Sequence, residues 1–493
     1  MTMTAAANKT EAAAAADHRL GFQTLHREVA IDSLAVDGEL PQWLTGTLLR
    51  NGPAKYEVGS TKLRHWFDGL GMLHNFTFAQ GRVSYANRYL RSRAYTEAER
   101  TGTLSYREFA TDPCRSLFKR VSSFFVTDAT DNASINVRKR GDEFLAITES
   151  PMAVVFDKAT LETLEVTNKS SAYYMTTVHP HHDPKRDELI NYAVHIGVRS
   201  SYRIYTTGYD WRKPHTLATV PVKEPSYMHS FAMTDNYVVL AEFPLVVNPR
   251  RLALDNLAKN GSPIIESYRW KPERGTRFLV IDRRTSRLHR TYQAGPFFSL
   301  HHVNAFERGD ELVIDMAAYR DAEIISGLYM DRLRSDNLTL PATELRRFRL
   351  SLKGSRITEE LVSDESIELP RINYGRYNGR PYRYVYAPGV GRDSAHPGHR
   401  NHFLDQLVKV DVAQHSADIW REGGCYPGEA VFVPAPDACA EDDGVVLTVV
   451  LNCHRERSFL LALDGKSFRE MARAEVPHHI PYGFHGQYFS SDD

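Results

Sequence analysis

The chain has 493 residues, of which 42% are hydrophobic and 25% charged, and its 61 Lys and Arg balance 61 Asp and Glu. That is ordinary globular composition with room for a large core. It argues against a nucleic-acid binder, which carries a basic surplus, and no run approaches the ~18 apolar residues of a membrane span.

Four cysteines (Cys114, Cys425, Cys439, Cys453) form no C-x-x-C pair and are too few for a disulfide framework, so the chain reads as a soluble protein of a reducing compartment. The one unusual count is 21 histidines, about one residue in 23. Residues 1–17, Ala- and Thr-rich, lack the features of a signal or transit peptide and read as a disordered tail of a cytoplasmic protein.

From Thr47 onward short apolar runs follow one another: Phe144-Leu-Ala-Ile-Thr148, Tyr237-Val-Val-Leu-Ala241, Arg277-Phe-Leu-Val-Ile281, Glu311-Leu-Val-Ile-Asp315, Gln406-Leu-Val-Lys-Val410, Val445-Val-Leu-Thr-Val-Val450 and Phe459-Leu-Leu-Ala-Leu463. Rich in β-branched or aromatic residues and bounded by Gly, Asp, Asn or Pro, they predict strands. Asp37-Gly38, Asp68-Gly69, Asp443-Gly444 and Asp464-Gly465 suit tight hairpins. Helical periodicity is confined to segments near 250–259 and 322–334. Many short antiparallel strands must avoid exposed edges, and radial repetition of small sheets does so in one unit. The expectation is an all-β chain, a propeller over 18–493 with no linker dividing it.

Nucleotide, zinc-protease and hydrolase signatures are absent; Gly389-Val-Gly391 lacks a third glycine and opens no helix. His179-Pro-His181-His182-Asp183 superficially matches the H-x-H-x-D of binuclear zinc hydrolases, or the H-x-D half of a two-His, one-carboxylate iron site.

Four histidines share a short apolar setting with a turn former nearby: Thr177-Val-His179-Pro, Tyr227-Met-His229-Ser-Phe, Ser299-Leu-His301-His-Val and Gly483-Phe-His485-Gly. They lie 50, 72 and 184 residues apart, too far for a local metal loop. A closed fold that brings strand ends to one axis would gather them.

Longer motifs surround these histidines: Leu49-Arg-Asn-Gly-Pro53, His65-Trp-Phe-Asp-Gly-Leu-Gly-Met72, His179-Pro-His-His-Asp-Pro184, His229-Ser-Phe-Ala-Met-Thr-Asp235 and Trp270-Lys-Pro-Glu-Arg-Gly-Thr276. Glu368-Leu-Pro-Arg-Ile-Asn373, Glu429-Ala-Val-Phe-Val-Pro434, Glu441-Asp-Asp-Gly444 and Phe484-His-Gly486 continue them. In these motifs the chain resembles the carotenoid cleavage oxygenase family from about residue 22 onward. Tyr89-Leu-Arg-Ser-Arg-Ala-Tyr95 and Met471-Ala-Arg-Ala-Glu475 resemble the branch of the β-carotene oxygenases and the retinoid isomerohydrolase.

The resemblance implies a seven-bladed β-propeller whose helical and loop insertions cap one face. It implies one Fe(II) per chain on His179, His229, His301 and His485, with Glu149, Glu368 and Glu429 holding three of the rings from outside. His302, beside His301, is a neighbour rather than a ligand. Neutral imidazoles suit Fe(II), and a carboxylate on the outer N–H fixes the tautomer and aims the ring. The implied reaction is scission of one C=C of a carotenoid or apocarotenoid by dioxygen, with no organic cofactor.

Phe67, Tyr95, Thr148 and Phe298 are expected in the substrate tunnel. Three alternatives stay open: a stilbene-cleaving relative, for which no convincing lysine is found; the retinoid isomerohydrolase, which uses no dioxygen; and a propeller that binds apocarotenoids without turning them over. A peripheral membrane contact is expected at a helix from about Arg250 with Leu245, Leu254 and Leu257, flanked by Arg250, Arg251 and Lys259, or at 117–125.

Overall fold

Val445-Val-Leu-Thr-Val-Val450 is almost continuously apolar because both faces of its strand are covered. Val445 and Leu447 pack with Leu48, Phe76 and Val83 on one side. Val446 and Val450 pack with Tyr386 and Leu407 on the other. A sheet buried on both faces needs apolar side chains at odd and even positions alike, and the period-2 signal disappears. All seven predicted strands fall on strands of the computed structural model, the first overrunning its strand by Thr148; the structure describes residues 17–112, 130–168, 175–208, 211–258, 263–392, 399–400 and 403–491. The tail expected over 1–17 lies outside these residues up to its last position, where Asp17–Phe22 forms a 3-10 turn.

Seven antiparallel sheets follow in chain order. Blade 1 is built on Gly46–Lys55, Leu70–Ala79 and Arg82–Tyr89, and blade 2 runs from Asn136–Arg140 to Thr163–Asn168. Blade 3 lies between Met175–Thr176 and His215–Pro221, blade 4 between Ala232–Met233 and Arg287–Ala294, and blade 5 between His302–Arg308 and Ile357–Ser363. Tyr384–Gly389, Gln406–Asp411 and Ser416–Trp420 make blade 6, and blade 7 runs from Cys425–Pro427 to Glu470–Glu475.

The ring closes twice. The last strand, Gly486–Ser490, pairs with Gly46–Lys55 as the innermost strand of blade 1, and Val36–Gly38 pairs with Glu470–Glu475 at the outside of blade 7. Apolar clusters seal neighbouring blades, as where Leu49 and Leu73 of blade 1 meet Val137, Phe144 and Val154 of blade 2.

The connections depart from expectation in places. Only Asp464-Gly465 stands at a hairpin, joining Arg457–Asp464 to Glu470–Glu475. Asp37-Gly38 lies inside a strand, Asp443-Gly444 enters one, and Asp68 ends a 3-10 turn. There the Asp68 carboxylate accepts the backbone N–H groups of His65 (2.9 Å) and Ala110 (2.8 Å), a use that dipeptide statistics do not register. The segment near 250–259 forms the helix Pro249–Ala258, and that near 322–334 splits into Glu323–Gly327 and Met330–Leu333. A further helix, Arg93–Thr101, escaped the periodicity reading. Its end signals were legible: the Ser92 Oγ accepts the Tyr95 N–H at 3.1 Å, and Gly102 takes a left-handed φ of 64° after the last turn.

Candidate metal centre

In a propeller the inner strands converge on the axis, so residues at their ends meet however far apart they lie in sequence. His301 immediately precedes His302–Arg308 of blade 5, and His485 immediately precedes Gly486–Ser490 of blade 1. His229 and His179 stand just before Ala232–Met233 of blade 4 and His181–Asp183 of blade 3. One ring nitrogen from each of the four lies within 4.8 Å of the others. The Nε2 atoms of His301 and His485 are 3.3 Å apart, and the buried Nε2 of His179 has no hydrogen-bond partner. Local backbone sets the rings. A Cβ on Gly486 would stand 2.4 Å from the Leu49 carbonyl oxygen, so glycine must follow His485 for the closing strand to dock.

Three rings are held from behind. His229 Nδ1 lies 2.6 Å from Glu149 Oε1, His301 Nδ1 lies 2.5 Å from Glu368 Oε2, and His485 Nδ1 lies 2.8 Å from Glu429 Oε1. With Nδ1–H donating to a carboxylate, Nε2 is left as a lone-pair donor toward the axis. Burial holds the His179 imidazole well below its ordinary pKa, and the three other rings push in the same direction. Burial likewise brings His485 to about 3 despite Glu429. Both shifts favour the neutral imidazole, the state a metal needs. Four imidazoles with no carboxylate among them suit zinc, copper, iron or nickel, and the orphaned Nε2 of His179 would be satisfied by such an ion.

The carboxylates are themselves anchored, by residues whose roles the sequence did not disclose. Arg50 donates to Glu429 Oε2 at 2.6 Å and to the Phe484 carbonyl at 3.0 Å, and Arg371 stands 3.6 Å from Glu429 Oε1. The Tyr227 hydroxyl donates to Glu149 at 3.1 Å, and the Leu369 N–H to Glu368 at 2.9 Å. Arg50 and Tyr227 both sit inside recognisable motifs, but their partners are 379 and 78 residues away.

His181 and His182 point elsewhere. His181 Nε2 meets the Phe231 carbonyl at 2.9 Å, His182 Nε2 lies 3.3 Å from Asp187, and Asp183 takes Arg186 at 2.8 Å. The hydrolase-like reading fails on this geometry. His302 is turned from the cluster, its Nδ1 at 2.7 Å from Ser230 Oγ.

A cavity of about 730 Å³ opens over His229, His301 and His485. Its walls are mainly apolar and aromatic, with Trp66, Phe67, Tyr319, Phe403 and Phe484. Ile324, Leu328, Leu340 and Pro341 reach it from the connection at 319–343 and Val390 from that at 390–405, so the cap is built from insertions between strands. Of the four expected tunnel residues only Phe67 lines this cavity.

The other three lie outside its lining. Tyr95 stacks on Tyr89 at 4.9 Å beneath the Arg91 guanidinium, because its helix packs on the outside of blade 1. Phe298 is fully buried behind the wall, against Phe243 at 5.4 Å and Tyr319 at 6.5 Å. Thr148 is buried next to Glu149 and does not line the cavity.

Leu245 is buried in the strand pair with Tyr268–Trp270 and offers nothing to a membrane. In the helix after it Arg250, Arg251 and Ala253 are exposed and Leu252 is buried; the side chains of Leu254 and Leu257, and the segment 117–125, lie outside the described residues. No helix among the described residues is long and apolar enough to cross a membrane.

Comparison with known proteins agrees with this architecture. The family model described as retinal pigment epithelial membrane protein matches residues 22–490. A carotenoid isomerooxygenase from Galleria mellonella is 35% identical over 92% of each chain. The human β,β-carotene 15,15′-dioxygenase is 33% identical over 93% of this chain and 92% of its own. A cobalt-substituted apocarotenoid oxygenase from Synechocystis superposes with a TM-score of 0.83 at 25% identity, covering 96% of this chain and 98% of that one. With a family match spanning nearly the whole propeller and relatives above 30% identity on both sides of it, this chain belongs to the retinal pigment epithelial membrane protein family, that of the carotenoid oxygenases.

Proposed function

We propose that the protein is a non-haem iron dioxygenase that cleaves one C=C bond of a carotenoid or apocarotenoid with dioxygen, releasing two aldehyde fragments. The observation that carries this reading is the pairing of four clustered imidazoles, three of them braced by glutamates, with an apolar cavity directly over them. The names of the relatives support the same chemistry. His179, His229, His301 and His485 would hold one Fe(II). When bound, the iron supplies the electron-transfer chemistry that lets ground-state dioxygen react with an alkene.

The protein's own groups do the rest. Glu149, Glu368 and Glu429 keep the three Nε2 lone pairs aimed at one point, so the donor set is assembled before the metal arrives. The faces of Trp66, Phe67 and Phe484 border the cavity where a polyene would lie, and aromatic faces stabilise cationic character developing along it. The apolar cap keeps bulk water from the reacting carbons. No lysine is among the described residues lining the cavity, which favours a polyene over a phenolic stilbene.

The test is oxygen uptake with mass spectrometry of products from β-carotene, an apocarotenal and a hydroxystilbene. One dioxygen consumed for two carbonyl products from a carotenoid substrate is the expected result. Conversion without oxygen uptake would make the protein an isomerase, and binding without conversion a carrier.

The polyene must be taken from a bilayer, and we assign the contact to the helix Pro249–Ala258. Its exposed Arg250 and Arg251 suit lipid headgroups, and Leu254 and Leu257 supply apolar residues one turn on.

A further inference from the structure

The inner segments that reach the metal centre continue past it along the propeller axis. Arg138 follows Ile135 by three residues, His181 follows His179 by two and Arg371 follows Glu368 by three, and none of the three lines the cavity over the histidines. Tyr374, which opens the short helix Tyr374–Tyr377, joins them with its hydroxyl 3.3 Å from His181 Nδ1. The two guanidiniums are close enough to act on each other. Burial lowers the Arg138 pKa from its ordinary value, the Tyr374 hydroxyl opposes that shift, and the Arg371 charge adds to it.

Both guanidiniums are short of partners, although each carries five N–H donors. Among the described residues Arg138 makes one side-chain hydrogen bond, from Nη2 to the Pro180 carbonyl at 3.0 Å. The Arg371 side chain makes none there and stands 3.6 Å from Glu429 Oε1. Neither is sealed in. Both residues are half-buried, and 25% of the Arg371 side chain stays accessible. Open space therefore adjoins donors that have nothing to donate to.

Charge points the same way. Arg371 and Arg50 both act on Glu429, and Glu429 is the carboxylate that acts on Arg138. Its oxygens are already engaged, Oε1 with the His485 ring at 2.8 Å and Oε2 with Arg50 at 2.6 Å and the Gly486 N–H at 2.8 Å. Asp183, two residues past His181, pairs with Arg186 and Arg283. Three guanidiniums thus share one carboxylate. Positive charge drawn from water without a partner is costly, and an anion relieves it. The flat fork of a guanidinium suits an oxyanion, which accepts two parallel N–H bonds at once.

We infer that Arg138 and Arg371 form an anion site on the propeller axis, beyond the four histidines from the apolar cavity, and that it takes a small inorganic oxyanion. The bound anion offsets the surplus charge of the pair and leaves Glu429 to Arg50 and His485. The site touches no substrate, so it stands whichever molecule the apolar cavity accepts.

Inorganic sulfate is the probe, titrated into the metal-loaded full chain with ionic strength held constant by chloride and followed by calorimetry. Wild type should bind one sulfate per chain saturably, with a thermal midpoint that rises in step with occupancy. Arg138→Gln should weaken binding at least ~10-fold, the loss of one hydrogen-bonded contact to a charged group. Arg138→Lys, which keeps the charge but not the fork, should fall between the two and separates lost recognition from a folding defect. Arg186→Gln, which alters a neighbouring guanidinium outside the pair, should bind sulfate as wild type does. Sulfate also stabilises proteins by exclusion from their surface, and that part of the midpoint shift should be common to all four proteins. Absence of saturable binding in wild type would overturn the site. So would equal sulfate affinity in wild type, Arg138→Gln and Arg138→Lys, or a loss as large in Arg186→Gln as in Arg138→Gln.

Discussion

Glu429 and Glu108 are both buried glutamates, and their environments push them in opposite directions. Burial pushes Glu108 up to about 8, helped by the Asp68 charge, and its Thr130 hydroxyl partner at 2.8 Å does not compensate. Burial acts on Glu429 in the same sense, yet Arg371, His485 and Arg50 hold it well below the usual carboxylate range. Depth alone therefore says nothing about charge: the cationic groups and donors facing a buried acid decide its ionisation. The Glu429 arm of the metal centre is tied into the ring closure through Arg50 and Gly486, whereas the Glu149 arm belongs to the site alone.

The largest expected effect asks whether these arms serve a metal at all. His179→Ala, His229→Ala, His301→Ala and His485→Ala should each lose bound iron, measured by elemental analysis, together with oxygen uptake. His181→Ala and His182→Ala should keep both. Iron retained in His229→Ala but lost in His181→Ala would reverse the assignment.

Next comes the contrast between carboxylates. Glu429→Gln strands the buried Arg50 guanidinium and should cost ~3–5 kcal/mol in urea unfolding, as removal of one partner from a buried ion pair does. Glu149→Gln and Glu368→Gln should stay within about 1 kcal/mol of wild type while metal affinity or activity falls ~10- to 100-fold. Equal destabilisation of all three would erase the distinction drawn here.

The pH dependence sharpens it further. The folded chain keeps the Glu108 proton up to about 8, whereas an unfolded glutamate releases it near ~4.3, so this group's contribution to stability falls as pH rises between the two. Glu108→Gln, neutral throughout, should flatten the stability profile in that window and gain on the order of 1 kcal/mol at its alkaline end. Glu429 has the opposite sign. Its contribution is present above the ordinary carboxylate range and is lost as pH falls below it, so Glu429→Gln should remove an acid-side slope. An unchanged profile in Glu108→Gln would mean that its carboxyl is not held neutral.

The smallest effect concerns the proposed membrane contact, where no buried charge is at stake. Leu254→Ser with Leu257→Ser should abolish binding to anionic liposomes and slow turnover of liposome-borne carotenoid. Turnover of a detergent-solubilised apocarotenoid should be spared. Equal loss on both substrates would place these side chains in the fold.

The sequence by itself determined the strands, because local composition records burial. Runs such as Val445–Val450 are apolar on both faces wherever a sheet is sandwiched between two others. The four histidines were legible too, since each carries its own short motif beside a turn, and so were the three glutamates through the family likeness. Helix Arg93–Thr101 was written in its caps rather than its periodicity.

What surrounds the histidines was decided only by the tertiary structure. Arg50 reaches Glu429 across 379 residues, and the axis brings Arg138 near Arg371. Tyr95 and Phe298 lie beside recognised motifs yet pack away from the cavity, one in a helix against blade 1 and the other behind the cavity wall. A motif carries its own chemistry along the chain. Which side chains look into a cavity depends on the angle at which seven sheets close into a ring, and no local stretch of sequence encodes that angle.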